Sequence, residues 1–240
     1  MADQEVVKHV KHAVDVARSH QPWTHKVREI LLEVVIIVFA VSLSIWLHNW
    51  SESRKDREEE RDFLVGLKRD LQADLEELRS SKQDFQDILT GAKYFIGVGN
   101  GATPNADSLK IYSPILFSYE EGYPRSSRFE ALRGSGRLGI VRDKELLVDI
   151  TELYTKDFPH LERVDDYING LRKDHILPLF ATHAQMNATA TNITNWADFL
   201  RLPETRIMVA TLRSATNNVD ACKRAIEHIE VIVKKIDADL

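Results

Sequence analysis

From Val34 to Leu47 the chain offers almost no polar side chain; only Ser42, Ser44 and the amphipathic Trp46 interrupt it. An amphipathic helix of a soluble domain turns a polar face to water every few residues, and this run has none. Fourteen residues are short for a membrane span and would suit a buried core helix. With Ile30–Leu32 on one side and His48–Trp50 on the other, the stretch reaches about 20 residues, roughly 30 Å of helix, which matches a hydrocarbon core. Trp46 and Trp50 stand at one end and Trp23 precedes the other, as interfacial anchors do. The expectation is a transmembrane helix over residues 30–50, with the lipid bilayer as its first partner. A cleaved signal peptide fits less well. The apolar run starts late, no small-residue cleavage site follows, and a charged helical pattern continues directly.

Glu33 sits one turn inside the run. It can reach back to the headgroups, or it can act as an intramembrane carboxylate facing a partner protein. The flanks carry Lys8, Lys11, Arg18, Lys26 and Arg28 before the span, and Arg54, Lys55, Arg57 and Arg61 after it. Counting Lys and Arg therefore gives a near tie. The short tail, residues 1–29, against the bulk of residues 51–240 favours a cytoplasmic N-terminus and a periplasmic C-terminal domain at a bacterial inner membrane. Within the tail, Val6, Val7, Val10, Ala13, Val14 and Ala17 follow helical spacing, which predicts an amphipathic helix on the membrane surface or against a partner.

After the span, Ser51–Arg61 is almost wholly charged and reads as a solvated face. Leu64, Leu67, Leu71, Leu75 and Leu78, followed by Phe85, Ile88 and Leu89, then mark one helical stripe. Gly66 is an isolated glycine within it. The pattern predicts that the transmembrane helix continues as a long helix over about 51–96, until Gly97-Val-Gly-Asn-Gly101 and Pro104 end it. At the other end, Leu212, Ala215, Val219, Cys222, Ile226, Ile229, Val233, Ile236 and Leu240 alternate steps of three and four, a coiled-coil seam in a C-terminal helix over about 203–240. The expected fold is mainly α: one transmembrane helix running into a long helix packed in an extramembrane helical bundle. Leu67, Leu71 and Leu75 should face Val219, Ile226 and Ile229. Between these helices, Leu109–Phe117 reads as either extended or helical. Arg128–Arg133 reads as a short helix, Gly134–Gly139 as a turn, and residues 127–180 as the middle helices, with Asp157 a possible N-cap where Pro159 restarts the chain. Asn187–Asn195 is turn-rich and reads as an exposed loop. Any part of the leucine stripe left bare predicts self-association, most simply a dimer, or docking onto another membrane protein.

Two patches resemble a family of uncharacterised bacterial single-pass membrane proteins. The first is Glu33, the aliphatic span, and then Asn49, Trp50, Glu52, Arg54 and Lys55, leading into the stripe Leu64–Leu75. The second runs from Arg128 through Phe129, Leu132, Ser135 and Gly136 to Leu146 and Tyr154. The chain departs from that pattern at Ala40, where a glycine is usual, and at Trp46 and His48, where amides are usual. The resemblance implies a bacterial envelope protein and no particular activity.

No catalytic, cofactor-binding or metal-binding residue is assigned, no cofactor is expected, and the chain is not read as an enzyme. Arg133–Gly139 lacks the Gly-Lys-Ser/Thr of a phosphate loop. Glu162, Asp165 and Asp166, beside His160, read as the wet side of a helix and not as metal ligands. Cys222 takes a seam position, which suits a small core residue. The formal net charge of −5 gives no basic field for nucleic acid. The functional expectation is an envelope interaction or scaffold protein, with a ligand-sensing helical domain that acts through a partner as the alternative.

Overall fold

The computed structural model describes residues 23–117, 124–189 and 192–240, with side chains from residue 27 onward. The amphipathic helix expected in the tail lies outside the described residues. The described chain is mainly α-helical. Its first element, α1, runs from Trp23 to Gly99. The chain divides into two compact units, Met1–Glu59 and Glu60–Leu240.

The first unit contains the one described helix that is long and apolar enough to cross a membrane. Its apolar side chains are bare: Phe39 is 67% exposed, and Leu31, Val35, Val38, Val41, Ile45 and Trp46 are exposed with it. Trp46 stacks on Trp50 at 6.5 Å between ring centroids. Arg54 lies over the Trp50 ring at 4.2 Å. The three residues are spaced four apart, so they share one face of the helix.

In the second unit the same helix behaves differently. Phe63, Leu64, Leu67, Leu71, Leu75, Leu78, Phe85, Ile88, Ala92, Phe95 and Val98 are buried, a single stripe that from Leu64 steps by three or four, with one step of seven between Leu78 and Phe85, to the end of the helix. Leu64, Leu67 and Leu71 are fully buried within one chain, so the stripe is covered where it begins.

After α1 the backbone turns at Gly101, whose φ of +109° suits glycine. Leu109–Phe117 resolves as helical, with α2 over Ala106–Tyr112 and a 3-10 turn over Ser113–Leu116. Asn105 caps α2 by accepting from the Ser108 N–H at 2.9 Å. Further along come α3, Ser127–Gly134, and α4, Lys144–Glu152. Asp143 caps α4 through the N–H groups of Glu145 and Leu146.

Asp157 is not a cap. It lies in a π turn, Leu153–Asp157, that carries α4 directly into α5, Phe158–Leu171. A second π turn, Arg172–Ile176, leads into α6, Leu177–His183. Pro159 and Pro178 each follow such a turn. A proline lacks its N–H, and its ring crowds the carbonyl four residues back. The wider π turn, closed by N–H to C=O bonds five residues apart (Phe158 to Leu153, Leu177 to Arg172), absorbs that conflict without a break.

The C-terminal part comprises α7, Trp196–Arg201, α8, Pro203–Thr211, and α9, Ala215–Asp239. Gly99, at the end of α1, lets the α7 backbone approach, because a Cβ there would lie 2.7 Å from the Leu200 carbonyl oxygen. On α9 the buried set is Ala215, Asn218, Ala221, Cys222, Ala225, Ile226, Ile229, Ile232 and Ile236. That arc is wider than a two-position seam. Small alanines widen it where α5 and α4 pack against it, while Leu240 is exposed. Lys68 pairs with Asp237, and Arg79 with Glu230 at 2.9 Å, so α1 and α9 run antiparallel here. The pairs bring Leu71 level with about Ile236 and Leu75 with about Ile232, further along α9 than the Val219, Ile226 and Ile229 that the sequence spacing set opposite Leu67, Leu71 and Leu75.

Candidate functional site

Acidic residues punctuate the buried face of α1. Glu60, Leu67 and Asp74 are seven residues apart, so all three lie on the same stripe. Glu60 and Asp74 are both almost fully buried. Each holds an arginine from the chain between α2 and α4, and each does so twice. Glu60 accepts from the Arg142 backbone N–H and from its Nε, both at 2.7 Å. Asp74 accepts from the Arg125 backbone N–H at 3.2 Å and from its guanidinium at 2.8 Å. Between them Asp70 accepts from Arg128 Nε at 2.9 Å, and Glu77 takes the other arm of Arg125 at 2.7 Å. The order along α1 is the reverse of the order along the loop segment, so these bonds fix its register as well as its position.

Gly66 belongs to this row. A Cβ at Gly66 would lie 2.2 Å from the Arg128 guanidinium carbon. The missing side chain is what lets Arg128 cross α1 to reach Asp70. Behind the row, Phe129 stacks on Tyr154 at 4.4 Å, and the Tyr154 hydroxyl donates to the Arg125 carbonyl oxygen at 3.1 Å. Burial pushes the Tyr154 phenol up, with the Asp74 and Asp70 charges adding to it. Burial also raises Asp74, against the opposing pull of its bonds to Arg125. The leucine stripe and the segment Arg128–Tyr154, two patches far apart in sequence, thus meet in one cluster. Its chemistry is that of a clamp. The buried carboxylates are engaged by N–H donors.

The acidic group on α5 separates. Glu162 and Asp166 are exposed, but Asp165 turns toward α9 and accepts from the buried Asn218 Nδ2 at 2.8 Å. The expectation of a wholly wet side fails at that residue, because α9 covers it. Burial raises the Asp165 carboxyl to about 6. Nearby, His228 Nδ1 lies 2.6 Å from Asp157 Oδ2. Among the described residues no three His, Cys, Asp or Glu side chains are grouped to hold a metal ion. Cys222 is buried in the core. Arg133–Gly139 takes in the end of α3, a turn at Ser135–Gly136 with Gly136 at φ +71°, and the start of a 3-10 turn, Leu138–Ile140.

A hollow of about 850 Å³ lies between α2 and the loop before α7, lined by Asp107, Lys110, Asn192, Thr194 and Asp198 among others. The sequence placed Asn187–Asn195 on the surface but gave no sign that α2 would stand opposite it. The clamp did have a signal: a carboxylate, Asp74, at a position of the leucine stripe seven residues after Leu67. Compared with known protein families, with curated proteins and with solved structures, the chain matches none.

Proposed function

We propose that this protein is a membrane-anchored interaction protein of the bacterial envelope, and not an enzyme. The carrying observation is the bare apolar surface of α1 between Leu31 and Leu47. So much contiguous apolar side chain on water would be costly, roughly 25 cal/mol for each Å² left exposed. A bilayer removes that cost, and the Trp46–Trp50–Arg54 ladder suits the boundary where hydrocarbon gives way to headgroups. The N-terminus is cytoplasmic and the domain from Glu60 onward is periplasmic at the inner membrane, where it meets a second copy or another membrane protein. The resemblance to uncharacterised bacterial single-pass proteins agrees with this reading. It also gives the clamp a role: it holds the domain on the helix that carries the anchor.

The test is fractionation. The protein should stay with membranes after alkaline extraction, and recovery in the soluble fraction without detergent would refute the anchor. Cys222 is fully buried, so Asn192→Cys supplies a single reactive thiol. It should label with a membrane-impermeant reagent once the outer membrane alone is opened; labelling only after full lysis would reverse the orientation.

A second reading, a ligand-sensing domain acting through a partner, is favoured by the hollow beside α2, whose lining mixes carboxylates, an amine, amides and hydroxyls.

A further inference from the structure

The hollow beside α2 has two walls, and both are braced from behind. On one side, the Tyr94 hydroxyl accepts from the Asn105 N–H at 2.8 Å and donates to the Asn105 carbonyl at 3.2 Å, which pins the start of α2 to α1. On the other side, the loop is bonded to itself. The Asn187 N–H donates to the Asn192 carbonyl at 2.8 Å and the Thr194 N–H to the Gln185 carbonyl at 2.8 Å. The Asn195 side chain accepts from the Gln185 N–H and donates to the His183 carbonyl. The hollow is thus formed before any ligand arrives, and its volume of about 850 Å³ falls within the roughly 300–1,000 Å³ typical of ligand pockets.

Its chemistry is selective. Asp107 and Lys110, one turn apart on α2, face Asn192, Thr194 and Asp198 across the hollow. Two carboxylates against one ammonium group disfavour a phosphate or other anion. The carboxylates accept, the ammonium donates, and amide and hydroxyl groups do both. A ligand hydroxyl is likewise both donor and acceptor, so an array of hydroxyls can satisfy this lining without bringing charge. Leu109 and Ile193 add apolar surface for the C–H faces of a ring. A peptide fits less well. An extended peptide gains most by pairing its backbone with a strand edge, and the described residues hold only the isolated bridge Met186–Ile193.

We propose that this hollow binds a neutral, hydroxyl-rich ligand, a short stretch of oligosaccharide. The proposal deepens the ligand-sensing reading and rests on the hollow being a binding site. The test uses the full chain in phosphatidylcholine nanodiscs, free of sugar headgroups. Maltotriose, cellotriose and chitotriose are titrated calorimetrically, with glucose 6-phosphate and triglycine as controls. One of the trisaccharides should bind saturably, and Asn192→Ala or Asp198→Ala should each weaken it about tenfold, the loss of one good hydrogen bond. Both residues are exposed, so thermal melting should not move. Binding of triglycine or glucose 6-phosphate alone, if lost in the same variants, would overturn the ligand class and leave the site standing. Trisaccharide binding indifferent to both variants, or no binding of any probe up to about 10 mM, would overturn the site as well.

Discussion

Two stretches of α1, Val34–Leu47 and Leu64–Val98, are both rich in aliphatic residues, and they meet opposite fates. In the first, every side of the helix is apolar and no residue is buried. In the second, one stripe is apolar and that stripe is buried, with charged residues on the remaining faces. The difference is in pattern and not in hydrophobic content. A packed domain covers one side of a helix, whereas a helix apolar on every side calls for cover all round, from a bilayer or from a protein core.

The sharpest way to break this comparison is to put charge into each stretch. Val38→Arg with Val41→Arg should expel the helix from the membrane, at a cost of about 2.5–3.5 kcal/mol for each arginine near the bilayer centre. The domain from Glu60 onward should keep its melting transition. If the double variant still resists alkaline extraction, the first stretch is not a span.

The converse change is Leu71→Ala. Leu71 is fully buried, so its truncation should cost about 2–5 kcal/mol of domain stability, read by denaturant unfolding, with membrane partitioning unchanged. Leu64→Glu with Leu67→Glu should abolish folding, because both leucines are core residues. A folded but dissociated double variant would instead mean that the stripe joins two copies.

The clamp sharpens the comparison at a smaller scale, since it places carboxylates on the buried stripe itself. Asp74→Ala removes the acceptor for the Arg125 backbone N–H and for one arm of its guanidinium. Glu77 still holds the other arm. The expected cost is about 1–3 kcal/mol, with Asp74→Asn costing less because a neutral amide escapes the burial that raises this carboxyl. Equal losses in the two variants would assign the effect to charge and not to the hydrogen bonds.

Much of the architecture was legible because it follows from periodicity. The apolar helix long enough to cross a membrane, its continuation as a long helix with a buried stripe, and the C-terminal helical segment all follow from where apolar residues fall. What periodicity hides is register and close approach. The offset between α1 and α9 is set by long-range ion pairs such as Arg79–Glu230, and no local pattern encodes it. Gly66 reads as a tolerated blemish in a helix until Arg128 is seen crossing it. Asp157 reads as a cap because Pro159 follows, yet a π turn accommodates the proline without ending the helix. The clamp was half legible, in Asp74 standing on the leucine stripe, while its arginines lie from about fifty to about eighty residues from the carboxylates they meet. The hollow was not legible at all, because its two walls come from segments about eighty residues apart.

The smallest expected effect concerns Asp165, and it runs opposite to the usual carboxylate. Most native carboxylates are held below their unfolded value, so stability falls with acid. Burial instead raises Asp165 from 3.8 to about 6. Its ionised form is the costly one, and the cost is present above the folded value and vanishes as pH falls toward the unfolded one. The contribution of this residue to stability should therefore grow between about pH 6 and pH 4. The neighbouring amide points the same way. The Asn218 carbonyl oxygen is buried without a hydrogen-bond partner, and a protonated Asp165 brings a donor to it. Asp165→Asn supplies an uncharged group with such a donor at every pH. At pH 8 the variant should be more stable than the parent by about 1–2 kcal/mol, taking the shift at 1.4 kcal/mol per unit and discounting for partial solvent screening. At pH 4 the two should melt together. A variant less stable at pH 8 would show that the ionised carboxylate, bonded to Asn218 and near Arg172, is favoured between α5 and α9, and that its burial costs less than its partners return.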